Sequence, residues 1–188
     1  MPEETQLKAA RSYVAFERLG VIYNPKEKNA VQTVANLRAL SGKLGFTLHA
    51  FAVRLAGDGK PDPASLPGLV DEVVAAGAQL LYQPPDSFLL LHRKALTQAA
   101  NDRALPVFAA SEAPVRGAKA LMGVVNRYYT VGQLTATQAE RILVRGMRPR
   151  DIPIEAPKNF SFLVNLDAAR KLQRYPPMKV LRIAEIIE

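Results

Sequence analysis

Short apolar runs that halt at turn residues, each followed by a stretch of helical periodicity, recur through the first 112 residues and dictate the class of fold. Leu19-Gly20-Val21-Ile22-Tyr23 stops at Asn24-Pro25. Val31, Val34, Leu37, Leu40 and Leu44 then repeat at helical spacing until Gly42 and Gly45. Asn29, or a residue just before it, is placed to cap that helix. Phe46 to Val53 reads as a second strand, and Gly57 to Pro63 as a loop of breakers. Leu66 to Ala76 reads as a second helix closed by Gly77. Ala78 to Gln83 is a third strand, stopped by Pro84-Pro85, after which Ser87 opens a third helix through Leu91, Ala95 and Ala99. Leu105 to Ala110 is a fourth strand, ending at Ser111-Glu112. Strands that are apolar throughout, without polar alternation, are strands covered on both faces. Their alternation with helices over short connections predicts an α/β fold, a parallel sheet with helices on both faces and right-handed crossovers.

The rest of the chain is less regular. Residues 3–17 read as one helix with Leu7, Ala10 and Val14 on a side. Beyond Ala113 the pattern predicts a short turn, a strand at Leu121 to Val125 and a helix from about Thr130 to Val144. Two further strands are expected at Ile152 to Glu155 and Phe160 to Asn165, then a short helix capped by Asp167 and a tail ending Ile186-Ile187. No repeat of fixed period and no low-complexity segment occurs.

Composition narrows the chemistry. The chain of 188 residues has no Cys, which excludes disulfides, thiolate nucleophiles and Cys-based zinc sites. Its net charge of +8 raises nucleic acid as a partner. The excess is dispersed over the C-terminal part, however, and the cluster Arg145, Arg148, Arg150 has no interleaved aromatics, so no nucleic-acid partner is expected. No apolar run is long enough to span a bilayer. His49 and His92 lack partners at metal-ligand spacing, and neither a G-x-S-x-G turn nor a phosphate-binding loop is present. The sequence therefore points to no catalytic residue, no metal and no cofactor.

The loops after strands one, three and four share one edge of a parallel sheet, the edge at which open α/β sheets bind ligands. They carry Asn24, Glu27 and Asn29, then Asp86 and Ser87, then Ser111 and Glu112. Carboxylates among amides and hydroxyls beside helix N-termini suit a ligand with both charges, the acids taking an ammonium and backbone N–H groups a carboxylate. An amino acid has that shape. The competing reading makes Asn29, Ser87 and Ser111 plain helix caps. Tyr128 and Tyr129 are expected to pack rather than to stack on a ligand.

The order of motifs carries a resemblance. Arg18-Leu19-Gly20-Val21-Ile22-Tyr23-Asn24-Pro25 with Glu27 and Asn29, Pro84 with Asp86-Ser87, Pro106-Val107-Phe108, Tyr128-Tyr129 with Gly132, Asp151-Ile152-Pro153-Ile154-Glu155 with Pro157, and Asn165-Leu166 together resemble the ABC-transporter substrate-binding proteins of the tryptophan/tyrosine-type family. The resemblance implies a type I periplasmic-binding-protein fold, two lobes closing on a ligand. It implies a solute-binding component of an ABC importer, not an enzyme, in a periplasmic or extracytoplasmic location. Its implied partners are a small-molecule ligand, such as an amino acid, and ABC permease subunits. Residues 1–17 would lead from the hinge, 18–125 form the second lobe, 126–150 return to the first lobe, and 151–188 complete the lobe and hinge. The leading segment of the first lobe and the signal peptide would be absent, giving a truncated two-lobe architecture. The 128–146 helix would then expose an apolar face and drive self-association. By match to the family's loops the ligand-facing residues are Asn24, Asn29, Asp86, Ser87, Ser111 and Glu112. The chain departs from the family where Pro85-Asp86-Ser87 replaces Thr-Asp-Asn and where Asn126-Arg127 precedes the double Tyr. Two other classes stay open at this stage. A ligand-sensing regulatory domain of the same fold would need a helix-turn-helix upstream, and a flavodoxin-like enzyme domain would need a cofactor or paired catalytic groups.

Overall fold

The computed structural model describes residues 2–157 and 160–188. Seven strands form one sheet: β1 (Arg18–Tyr23), β2 (Thr47–Ala52), β3 (Leu80–Gln83), β4 (Val107–Ala109), β5 (Met122–Val125), β6 (Ser161–Asn165) and β7 (Ala184–Ile187), in the order β2-β1-β3-β4-β5-β6-β7. Every neighbouring pair is parallel except β5 and β6, which run antiparallel with Gly123 opposite Leu163. Helices are α1 (Glu3–Arg11), α2 (Lys28–Leu44), α3 (Leu66–Ala75), α4 (Ser87–Leu91), α5 (Arg93–Asp102), α6 (Glu112–Ala118), α7 (Tyr128–Leu143), α8 (Leu166–Leu172) and α9 (Met178–Leu181).

The apolar runs are apolar because both sheet faces are covered. Successive side chains of a strand point to opposite faces, and the two core clusters divide accordingly. Leu19, Val21, Leu80, Tyr82, Phe108, Phe162 and Val164 join α1, α2, α8 and α9 on one face. Ile22, Leu81, Val107, Ala109 and Leu163 join α3, α5 and α6 on the other. At β5 the strands come too close for a side chain: a Cβ on Gly123 would lie 2.6 Å from the Ala109 carbonyl oxygen and 3.1 Å from Val115 Cγ2. Glycine lets β4, β5 and α6 meet there.

The central α/β alternation stands as the periodicity predicts. Several local expectations are corrected. The first helix ends at Arg11, whose guanidinium donates to the carbonyls of Leu44, Gly45 and Phe16; the chain then turns so that Val14 and Phe16 enter the core. The third helix breaks at His92, whose ring lies 4.7 Å from that of Phe88. The turn expected after Ala113 is the helix α6, and the cap of α8 is Asn165, whose Oδ1 accepts from the Ala168 N–H at 2.8 Å, not Asp167. No strand forms at residues 152–155: Pro153 offers no N–H to a ladder, and Ile154 stands fully in solvent. The tail supplies α9 and the edge strand β7.

Every residue of α7 is at least partly exposed; its last residue, Leu143, is 82% exposed and its C-cap, Val144, 77%. Among the described residues, no helix is long and apolar enough to cross a membrane.

Candidate functional site

The strands β1, β3, β4 and β5 lie side by side, so their carboxyl ends bring four loops to one edge of the sheet. Asn24 follows β1 and is only 8% exposed. Its backbone N–H donates to Asp86 Oδ2 at 2.7 Å, and its Oδ1 accepts from the Lys26 N–H at 2.9 Å, closing an Asx turn. Asp86 follows β3 and is 3% exposed. Its Oδ1 accepts from the Leu89 N–H at 3.0 Å, which makes it the cap of α4. Burial raises its carboxyl above the usual range, the nearby charge of Glu27 adds to that rise, and the N–H groups of Leu89, Asn24 and Phe88 pull the other way.

Glu27 crosses between the same two loops. Its oxygens accept from the Ser87 N–H at 3.0 and 2.8 Å, and Oε1 also accepts from the Ser87 hydroxyl at 3.0 Å. Asn29 donates from Nδ2 to the Pro85 carbonyl at 2.5 Å. Ser111 stands at the start of α6 without capping it through its side chain. Glu112 accepts from Arg116 Nε at 2.5 Å; Arg116 also reaches Glu185, which pairs in turn with Arg127 just before α7.

Beside a hollow of about 340 Å³ along α6, lined by Arg93, Glu112, Ala113, Arg116, Gly117 and Tyr128, two smaller and shallow ones open on this edge. One, of about 170 Å³, is lined by Glu27, Asn29, Pro85, Asp86, Ser87, Leu90, Ser111 and Tyr128. The other, of about 260 Å³, is lined by Gln6, Pro85, Ala110, Ser111, Glu112, Val125, Asn126, Tyr128 and Val131. Each is smaller than the roughly 300–1,000 Å³ of a pocket that engulfs a small molecule, as expected for one wall of a site. A hollow of about 290 Å³ at the amino edge contains Arg103 and Arg174, but Arg103 is already paired with Asp71 and the Ala99 carbonyl.

Five of the six residues expected to face a ligand therefore line the two hollows: Asn29, Asp86, Ser87, Ser111 and Glu112. Asn24 lies beneath them, bracing the loops, and both carboxylate oxygens of Asp86 are engaged within the protein. The cap of α4 is Asp86, not Ser87. The expectation that Tyr128 and Tyr129 pack is overturned: they are 63% and 76% exposed, and Tyr128 lines both hollows. Two features went unread in the sequence. Glu27 bridges to Ser87, and Asn126 has a buried Oδ1 with no hydrogen-bond partner among the described residues. A turn motif alone signals neither, because both depend on how segments distant in sequence are brought together. Among the described residues no three His, Cys, Asp or Glu side chains cluster to hold a metal ion.

Comparison with solved structures shows the same fold. A conserved domain protein from Vibrio cholerae superposes with a TM-score of 0.80 at 23% identity, over 97% of this chain and 58% of that one. A domain from Streptococcus pneumonia, solved in complex with L-Trp, gives 0.79 at 20% identity over 100% and 62%. An open, ligand-free substrate binding protein with adhesive properties from Clostridium difficile gives 0.82 at 21% identity over 100% and 60%. The chain thus spans less than two thirds of each of these relatives. None of the curated proteins matches its sequence. The family model for ABC transporter substrate binding proteins matches residues 14–186, and the chain belongs to that family.

Proposed function

We propose that this chain forms one wall of the binding cleft of an ABC importer's solute-binding component, and that its ligand is an amino acid or similar small polar molecule. Residues 18–125 are the second lobe, 126–150 return toward the first, and 151–188 complete the lobe and hinge. The observation that carries the reading is the pair of hollows at the carboxyl edge, where carboxylates, hydroxyls and an exposed tyrosine converge on a space too small to enclose a ligand alone. Such a wall works by closure. A ligand that contacts both lobes stabilises the closed arrangement by its differential affinity, and the closed form is what a permease would recognise. This reading places the protein outside the cytoplasm. The neighbour solved with L-Trp supports an amino acid as the ligand class.

Isothermal titration of the chain with each of the twenty common amino acids tests the reading. Weak but saturable binding of at least one is expected, because one wall buries only part of a ligand's surface. Tyr128→Ala should weaken it about fivefold to tenfold, the loss of roughly 1–1.4 kcal/mol of stacking, without lowering the melting temperature, since the ring is mostly exposed. Absence of binding to every amino acid would reject the amino-acid assignment.

A further inference from the structure

We propose that the segment joining β6 to β7 is a membrane-contact surface, which lies against bilayers that carry anionic phospholipid. The inference rests on other residues than the ligand reading and survives the failure of that reading.

The two strands are parallel, so the chain between them has to cross back along the sheet. It does so through α8, Pro176-Pro177 and α9, and it is pinned from beneath. Pro176 is buried, Val180 is 1% exposed within the core, and the Tyr13 hydroxyl donates to the Arg174 carbonyl at 2.5 Å. The outer side is both basic and apolar. Among the described residues the ion pairs of this crossing are those of Arg170 with Asp167 and of Lys171 with Asp102, which leaves the exposed Arg174, Lys179 and Arg182 unpaired. Beside them Tyr175, Met178 and Ile183 are 67%, 67% and 70% exposed.

Local acids do not offset the three cations. No Asp or Glu occurs between Asp167 and Glu185, and both of these are engaged, Asp167 by Lys119 and Arg170, Glu185 by Arg116 and Arg127. The other basic cluster of the C-terminal part is neutralised where it stands: Arg145 pairs with Glu140, and Arg148 and Arg150 with Asp151. The net positive charge of the chain therefore has an outlet at this crossing.

The apolar side chains choose the partner. A nucleic acid would satisfy the cations through its phosphates and leave Met178 and Ile183 in water. An anionic bilayer satisfies both kinds of group, because headgroup phosphates take the cations and the acyl boundary takes the apolar side chains. Tyr175, with an apolar ring and a polar hydroxyl, suits the level between them. The two prolines and the anchors in the core hold the segment in place beforehand, so docking orders little new backbone.

Co-sedimentation with vesicles tests this. At about 0.1 M salt the chain should bind vesicles of phosphatidylcholine with about 30% phosphatidylglycerol at least tenfold more tightly than pure phosphatidylcholine, and about 0.5 M salt should release it. Arg174→Gln, Lys179→Gln and Arg182→Gln combined should weaken binding by about a hundredfold, near fivefold for each cation at the surface. Tyr175→Ser with Ile183→Ser should weaken it by about tenfold while the salt dependence stays. Arg145→Gln, Arg148→Gln and Arg150→Gln combined remove the same charge from another surface and should change it less than about threefold. All these side chains are exposed, and equal melting temperatures would show that each variant folds. Binding that ignores phosphatidylglycerol, or that the second triple variant weakens as much as the first, overturns the proposal. So does a chain that leaves the vesicles alone and is retained on double-stranded DNA at the same salt, which would assign the cations to nucleic acid.

Discussion

Asp86 accepts one backbone N–H from its own helix and one from the loop after β1, so its carboxylate sets the spacing of two neighbouring loops at the binding edge. Asparagine there retains one oxygen, enough to cap α4, but turns an NH2 group toward a second N–H. Asp86→Asn should therefore lower the free energy of unfolding by about 1–3 kcal/mol, the cost of an unsatisfied buried donor, as read by urea denaturation. A change within 0.5 kcal/mol, the spread of ordinary surface substitutions, would mean that the cross-loop bond contributes nothing. Gly123→Ala is expected to cost a similar ~1–3 kcal/mol by overpacking, because the added carbon meets a backbone carbonyl that cannot rotate away; the same denaturation measurement checks it. The residues of the edge were visible in the sequence as polar groups at strand ends, but their partners were not. Asp86 meets Asn24 across 62 positions and Glu27 meets Ser87 across 60, separations at which spacing carries no information.

Among the elements, α7 stands apart. Its sequence has the apolar period of a packed helix, with Val131, Leu134, Ile142 and Leu143, yet it is exposed along its length. An apolar face of that kind tends to find a partner, and self-association through residues 128–146 is the outcome we expect for the chain in isolation. Sedimentation velocity across a dilution series should show a reversible dimer or larger species. Leu143→Ser combined with Val144→Ser should shift it to monomer while changing unfolding by less than about 0.5 kcal/mol, as for surface positions without a defined partner. A concentration-independent monomer in the unmutated chain would refute the expectation. Periodicity located α7 because the pattern is local, but it could not report that, among the described residues, none of the helix's side chains is fully buried. The opposite error occurred at residues 152–155, where an apolar run reads as a strand. A strand exists only beside another strand, and residues 152–155 pair with none.

At the scale of the whole molecule, seven strands build one sheet whose central members are buried on both faces and whose carboxyl edge carries the hollows. The sequence by itself determined the parallel α/β class, the order of strands and helices through residue 112, and the set of polar loops. These follow from local causes: the period of apolar residues, the prolines and glycines that end elements, and the residues that begin helices. The tertiary structure decided the strand order, the reversal of β6, the recruitment of the tail as β7, and which loop groups are consumed in bracing each other. Those depend on pairings between segments tens of residues apart. The free energy of such pairings comes from burial and hydrogen bonds that exist only once the sheet is assembled.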